Sequence, residues 1–223
     1  MSHLEKAETG TVGATPPRQA LGGARAPKRL ANPGPLGLWS FASTTLILSL
    51  FNLQARGINT PNIVVGMALF CGGLAQFLAG MWEFPAGNTF GATAFTSYGA
   101  FWMSFATIYI PNSGILAAYE GSPTELASAV GIYLMAWFTV TFLLFIAALR
   151  RSVGLCFLFG FLTITFMLLG IGEFQASVAT TKAGGAMGIA TALIAYYCGM
   201  AQLLTREDSW FTLPLGEIPK RLD

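Results

Sequence analysis

Residues 30–205 consist of long hydrophobic runs that are separated by single charges and by turn residues. A transmembrane helix needs about 20 mostly apolar residues to cross about 30 Å of hydrocarbon. The uncharged runs predict six such helices, at residues 36–54, 62–82, 89–110, 124–149, 153–173 and 184–205. The runs are continuously apolar and lack the alternation of a transmembrane β-barrel. The pattern therefore predicts an all-α integral membrane protein with six transmembrane helices.

The predicted breaks between these helices hold residues that favour turns. Residues 57–61, 85–87 and 111–123 each contain glycine and proline, and Arg150 and Arg151 form the only link between the fourth and fifth helices. Every predicted loop is short, which leaves no room for a domain outside the membrane. The function is therefore expected inside the helical bundle, as one pore per protomer.

Composition and charge support a membrane protein. Hydrophobic residues make up 54% of the chain and charged residues 10%, whereas soluble domains carry about 25% charged residues. Seven charges lie in residues 1–29, seven in 206–223 and only eight between them. This distribution argues against a soluble enzyme, a disordered chain and a nucleic-acid-binding protein. It predicts a disordered cytoplasmic arm over residues 1–31, a transmembrane domain over 32–205 and a cytoplasmic tail over 206–223.

The positions of lysine and arginine predict the orientation, because cytoplasmic loops and tails carry an excess of both. With six spans, both tails share one side with the loops after helices two and four. That side holds ten of the twelve basic residues, and the other side holds only Arg56 and Lys182. Both termini are therefore predicted to be cytoplasmic.

No residue pattern indicates a cofactor, a metal site or an enzyme active site. The cysteines Cys71, Cys156 and Cys198 lie far apart in apolar stretches, and the one histidine, His3, lies in the arm. The cysteines are interpreted as small buried hydrophobic residues. Without a nucleophile–base pair or a metal-ligand cluster, catalytic, cofactor-binding and metal-binding residues are all predicted to be absent.

Polar but uncharged residues follow one face of several predicted helices. Hydroxyl and amide groups there can hydrogen-bond a small solute without a fixed charge in the bilayer. The alternative is that they bond to their own helix or hold helices together. The candidate pathway residues in these stripes are Thr44 and Thr45 on helix one, Gln76 on helix two, Thr93, Thr96 and Ser97 on helix three, and Thr165 on helix five.

Two helix starts and two glutamates complete the candidate pathway. Asn32 precedes helix one, and Asn88 and Thr89 open helix three with Asn88 as a predicted N-cap. Free N–H groups at such starts favour small anions, although every helix needs capping. Glu83 and Glu173 lie at helix ends on the candidate faces. They are candidates for proton linkage, with interfacial hydrogen bonding as the alternative.

Glycine pairs at a spacing of four residues predict close helix packing. Gly87 pairs with Gly91, and Gly184 pairs with Gly188. Such pairs let helix backbones approach closely. They favour a tight bundle and oligomer contacts without indicating an activity.

Two longer stretches resemble the signature motifs of a known family. Residues 32–38 read NPGPLGL, directly before helix one, and residues 87–102 read GNTFGATAFTSYGAFW at the start of helix three. These stretches resemble the acetate uptake transporter family, which includes the bacterial succinate–acetate permease and fungal acetate and ammonia-linked permeases. The resemblance covers about residues 30–205.

The resemblance implies a fold, a substrate class and a constriction. Members of that family move acetate and related short carboxylates across the plasma membrane. The resemblance also implies a hexamer in which each protomer has its own pore. Their pores narrow at mid-depth at a Phe, a Tyr and a Leu. Matched motif to motif, these fall on Phe41, Tyr98 and Leu162, with Leu158 as the alternative on helix five. The implied partners are small carboxylates, the lipid bilayer and further copies of the chain.

The residues alone leave other functions open. An uncharged six-helix pore equally suits a channel for a neutral solute such as urea or ammonia. A non-transporting membrane sensor or organiser is a further alternative. Acetate transport itself is expected either as channel conduction or as proton symport, in which the protonated acid passes a dewetted constriction more easily than the anion does.

Overall fold

The chain folds into six long helices, as a computed structural model that describes residues 30–219. The arm predicted over residues 1–31 therefore lies almost wholly outside the described residues. The helices are α1 (Gly34–Asn52), α2 (Val64–Glu83), α3 (Thr89–Tyr109), α4 (Pro123–Ala148), α5 (Val153–Phe174) and α6 (Val178–Leu203). The first five agree with their predicted positions to within two residues at each end.

Helix α6 begins six residues before its predicted start. Ser177 caps it by accepting a hydrogen bond from the Thr180 N–H, so Lys182 lies inside the helix rather than in a loop. The prediction treated the lysine charge as a boundary. A lysine near a helix end can instead lay its hydrocarbon stem along the helix while the ammonium reaches the interface.

Five of the six helices are long and apolar enough to cross a membrane, judged by length and composition. Helix α3 is not among them. Its 21 residues include a high share of Gly, Ser and Thr, which lowers its mean hydropathy. Nine of those residues are buried, because α3 packs against α2 and its aromatic residues enter the core.

The contact between α1 and α6 is the most extensive contact between two helices of the described bundle, and small residues bring these helices together. A Cβ atom built on Gly185 would lie 2.7 Å from the Ser49 carbonyl oxygen and 2.8 Å from the Leu53 nitrogen. Of the predicted pair, Gly188 also faces α1, at Ser49, whereas Gly184 faces Leu169 of α5. The Gly87–Gly91 pair does not act in this way, because Gly87 lies in the turn before α3 with a φ of 77°.

Helix α2 contains a π-helical segment, Phe70–Ala75, in its middle. Gly72 and Gly73 within it are buried, and a Cβ on Gly72 would collide with Thr44 and Trp102. The wider turn brings α2 close to α1 and α3 and ends at Gln76. Such π-helical turns occur frequently at functional sites.

The helices alternate in direction, so each end of the bundle collects residues from most helices. We call one end the Glu83 end, because it holds the end of α2 together with the starts of α3 and α5. We call the other the Glu173 end, because it holds the end of α5 and the start of α6. The two ends differ in chemistry, since Arg150 and Arg151 lie at the Glu83 end.

Candidate functional site

Two cavities lie along the bundle, one toward each end. The Glu83 cavity leaves about 60 Å³ for the centres of water molecules and the Glu173 cavity about 80 Å³. A single water needs only about 10–15 Å³ on this measure. Each cavity can therefore hold several waters or a small organic acid. Among the described residues, Phe41 is the one that borders both cavities.

The three residues expected at a constriction lie in the buried core between the cavities. Tyr98 borders the Glu83 cavity, Leu162 borders the Glu173 cavity, and Phe41 separates the two. The rings of Phe41 and Tyr98 pack with their centres 5.5 Å apart. All three side chains are at most 4% exposed and belong to the hydrophobic core. Leu158, the alternative on α5, borders the Glu83 cavity instead.

The hydroxyl of Tyr98 is engaged with α4. It lies 2.9 Å from the Thr141 hydroxyl, which in turn donates to the Trp137 carbonyl at 2.7 Å. Because the Thr141 proton is used in that bond, Tyr98 donates its own proton to Thr141. Its phenol oxygen can therefore accept a hydrogen bond from a passing acid but has no proton left to donate.

Three other polar groups at the cavity walls hydrogen-bond to no side chain or backbone group of residues 30–219. Gln76, which lines the Glu83 cavity and is 1% exposed, has no hydrogen-bond partner within the described part of the chain for either polar atom of its side chain. Thr45 and Trp102 line the Glu173 cavity, and the Thr45 hydroxyl and the Trp102 indole N–H also lack a hydrogen-bond partner in that part of the chain. Buried polar groups without a partner are rare. Gln76, Thr45 and Trp102 thus line the cavities, with polar atoms that are buried and have no partner among residues 30–219.

Glu83 and Asn88 form one polar unit at the wall of the Glu83 cavity. The Asn88 amide nitrogen donates to the Glu83 carboxylate at 2.9 Å, while the Asn88 amide oxygen accepts from the Gly91 N–H. Asn88 is thus the predicted N-cap of α3 and also the link to the end of α2. Glu83 is buried at 3% exposed.

The polar face predicted on α5 lines the Glu173 cavity along its whole length. Leu162, Thr165, Leu169 and Glu173 all border it. Thr165 donates to the Phe161 carbonyl of its own helix at 2.8 Å, so the hydroxyl oxygen remains available as an acceptor. Helix α1 contributes Thr45 and Asn52 to the same cavity.

Other candidate residues lie away from both cavities. Thr44 is fully buried and donates to the Ser40 carbonyl, between α1 and α2. On α3, Thr93 is exposed and donates to the Thr89 carbonyl, whereas Thr96 and Ser97 are half-buried. The side of α3 that faces the cavities is aromatic instead, with Phe90, Phe95, Tyr98, Phe101, Trp102, Phe105 and Tyr109. Helical spacing identifies a shared face but not the direction in which that face points.

A wide depression at the Glu83 end, which we call the vestibule, holds the two remaining candidates. Asn32 and Thr89 line it, and so do Arg150 and Arg151. Sequence reasoning used the arginine pair only to mark a turn and the orientation. It also missed Gln202, which lines both the vestibule and the Glu83 cavity. A helix-end glutamine carries no sequence signal for such a position.

These features define a class of protein: a helical membrane protein with two small, mostly apolar cavities in line along the bundle. The family follows from comparison with known proteins. The sequence pattern of the GPR1/FUN34/yaaH family matches residues 19–220, and the chain belongs to this family.

Similar proteins include named transporters. Acetate permease A of Emericella nidulans is 42% identical over 86% of this chain and 68% of that protein. Ammonia transport outward protein 2 of Saccharomyces cerevisiae is 47% identical over 85% of this chain and 69% of that protein. The succinate-acetate/proton symporter SatP of Escherichia coli is 37% identical over 85% of this chain and 97% of that protein.

A solved structure has the same fold. The structure of the bacterial acetate channel SatP superposes with a TM-score of 0.72 at 36% identity, over 84% of this chain and 99% of that one. This chain is therefore a multi-pass membrane protein of a transporter family, and the proteins it is similar to are permeases, channels and symporters.

Proposed function

We propose that this chain carries acetate and related short monocarboxylates across the plasma membrane, through a hydrophobic constriction at Phe41, Tyr98 and Leu162. The observation that best supports the proposal is the position of Phe41 between two cavities whose walls include buried polar side chains without a hydrogen-bond partner among residues 30–219. The names of the acetate permease, symporter and channel relatives support the substrate class.

The proposed path places polar groups on each side of an apolar neck. A carboxylate that leaves water for an apolar site loses several kcal/mol of hydration. Gln76 on one side, and Thr45 and Trp102 on the other, replace part of that hydration. The neck itself offers no donor proton, because Tyr98 donates to Thr141.

Proton linkage follows from the same neck. The protonated acid loses less hydration than the anion, so lowering the pH increases the fraction that crosses the neck easily. Glu83 and Glu173 each border one cavity, on opposite sides of Phe41, which supports a role for both in proton exchange. In this proposal the glutamates tune proton exchange and the constriction selects the neutral form.

The proposed topology has six spans with both termini in the cytoplasm. In it α3 crosses the membrane as a sixth span whose low hydropathy is tolerated because nine of its residues are buried by other helices. The distribution of basic residues supports the orientation and makes the Glu83 end cytoplasmic. A homohexamer with one pore per protomer is the proposed assembly, on the family resemblance.

The proposed function is tested by flux into liposomes. Purified protein in liposomes is expected to take up labelled acetate faster than protein-free liposomes do, and more so at the lower of two external pH values. Excess unlabelled propionate is expected to compete. Absence of acetate flux at both pH values, in protein that remains monodisperse, would contradict the proposal and favour a sensor or organiser.

A second candidate function is ammonia transport, which the name of the yeast relative supports. Apolar cavities with few charges also suit a neutral solute. The same liposome assay distinguishes ammonia transport from acetate transport. Ammonia flux that unlabelled acetate leaves unchanged, together with no acetate uptake, would favour this second function.

Replacing Gln76 with leucine is expected to lower acetate flux about tenfold. A hydrogen bond to a charged group is worth about 1.5–3 kcal/mol, and leucine keeps the volume while it removes both polar atoms. The measurement is the initial rate of acetate uptake. Thr96→Val is the matched control, because the Thr96 hydroxyl is also buried without a hydrogen-bond partner among residues 30–219 but borders neither cavity. Equal rates in the two variants would remove Gln76 from the path.

A further inference from the structure

The vestibule adjoins the Glu83 cavity. Asn88, Leu155 and Gln202 line both spaces, so these three side chains lie between the vestibule and the cavity. Arg150, Arg151 and Glu217 are the charged residues that line the vestibule among those described. Its net charge is positive, which suits an anion.

The Arg151 side chain is held at the inner edge of this vestibule. Its guanidinium carbon lies 4.3 Å from the centre of the Phe90 ring. Phe90 packs edge-on against Phe159 with ring centres 5.3 Å apart, and both rings border the Glu83 cavity. Arg151 is exposed, and its guanidinium carries five N–H donors in a planar fork that matches a carboxylate.

The backbone of Arg151 is held by the C-terminal tail. Residues 215–218, which we call the tail strap, run antiparallel to residues 151–154. The Ile218 N–H donates to the Arg151 carbonyl at 3.1 Å, and the Val153 N–H donates to the Gly216 carbonyl at 2.9 Å. Gly216 has a φ of 65°, which favours glycine. The strap thus fixes the turn that carries Arg151.

We propose that Arg151 is a carboxylate-binding residue at the mouth of the Glu83 cavity, and that the tail strap positions it. Arg151 receives the anion in the vestibule, before the acid enters the cavity beside Asn88. This inference rests on the proposed carboxylate transport. The alternative is that the Arg151–Phe90 contact only stabilises the turn between α4 and α5.

The test is the dependence of acetate uptake on concentration in Arg151→Gln. Liposomes are reconstituted with the tails outward, checked by external protease cleavage of a C-terminal tag, and acetate is added outside. The apparent KM is expected to rise about fivefold with little change in maximal rate, since a partly exposed charged contact contributes modestly. Wild-type KM is expected to rise with ionic strength, and the variant's KM to rise less.

Matched variants separate recruitment from structure. Arg206→Gln removes one positive charge from the tail outside the vestibule lining and is expected to keep the wild-type KM. Arg151→Lys keeps the charge but loses the planar guanidinium, and its KM is expected to lie between those of wild type and Arg151→Gln. Gly216→Val, whose Cβ would lie 2.9 Å from the Val153 Cβ, is expected to disturb the strap and raise the KM.

The outcomes are distinct. An equal KM in Arg151→Gln and Arg206→Gln would overturn the inference, as would a loss of maximal rate without a change in KM. A wild-type KM in Gly216→Val would overturn the role of the strap. If wild-type protein carries no acetate at all, the proposed function fails instead.

Discussion

Replacing Phe41 with alanine is expected to join the two cavities and to admit carboxylic acids that are larger than acetate. Phe41 is the one described residue that borders both cavities, so its ring is the shared wall. We expect uptake of a longer acid such as butyrate to rise about tenfold relative to acetate, a change in the range that pocket-size differences produce. The measurement is the ratio of the two uptake rates in liposomes.

Phe166→Ala provides the control for this substitution. Phe166 is as buried as Phe41, at 4% exposed, but borders only the Glu173 cavity. Its truncation enlarges one cavity and leaves the wall between them intact. Leu162→Ala is expected to widen the neck less than Phe41→Ala, since Leu162 borders one cavity. An unchanged size limit in both Phe41→Ala and Leu162→Ala would show that the constriction lies elsewhere.

Replacing Gly185 with alanine is expected to destabilise the bundle strongly. The added Cβ would meet backbone atoms of α1, which cannot rotate away, so α1 and α6 must move apart. Overpacking in a core costs about 1–3 kcal/mol, and here the disturbed contact is the most extensive in the bundle. We expect a lower melting temperature and a smaller monodisperse fraction in mild detergent.

Gly66→Ala makes the same chemical change in open space. No atom lies within 4 Å of a Cβ at Gly66, which is inside α2. Alanine in a helix interior is favoured over glycine by about 0.5–1 kcal/mol. The control is therefore expected to match or exceed wild-type stability. Equal melting temperatures for both variants would contradict the packing argument.

The sequence predicted the helices well because the charge-free runs coincide with them. It misplaced the start of α6, since Lys182 was read as a loop residue although Ser177 caps the helix earlier. The π-helical segment Phe70–Ala75 was not predicted. It depends on how α2 packs against Thr44 and Trp102, which are distant in sequence.

The candidate site was predicted in part, and the reasons differ by helix. The sequence identified the cavity-lining faces of α5 and α2, the latter through Gln76 and Glu83. On both helices the polar residues are spaced along the side that lines the cavities. On α3 the hydroxyl face and the cavity face are different, because aromatic rings line the cavities and hydrophobicity alone cannot distinguish them from core. Arg151 was missed because its surroundings come from the tail and from Phe90.

The π-helical segment also lets α2 hold one residue more than an uninterrupted α-helix would need between the same two faces. An α-helix bonds residues four apart and each residue advances the chain by about 100°, whereas the wide turn Phe70–Ala75 bonds residues five apart. A one-residue deletion within the segment would therefore convert the wide turn to an ordinary one and keep Gln76 on the same side of α2. The packing of the segment against Thr44 and Trp102 would change instead. A shortened helix of this kind would separate packing from selectivity, because Gln76 would stay at the cavity wall.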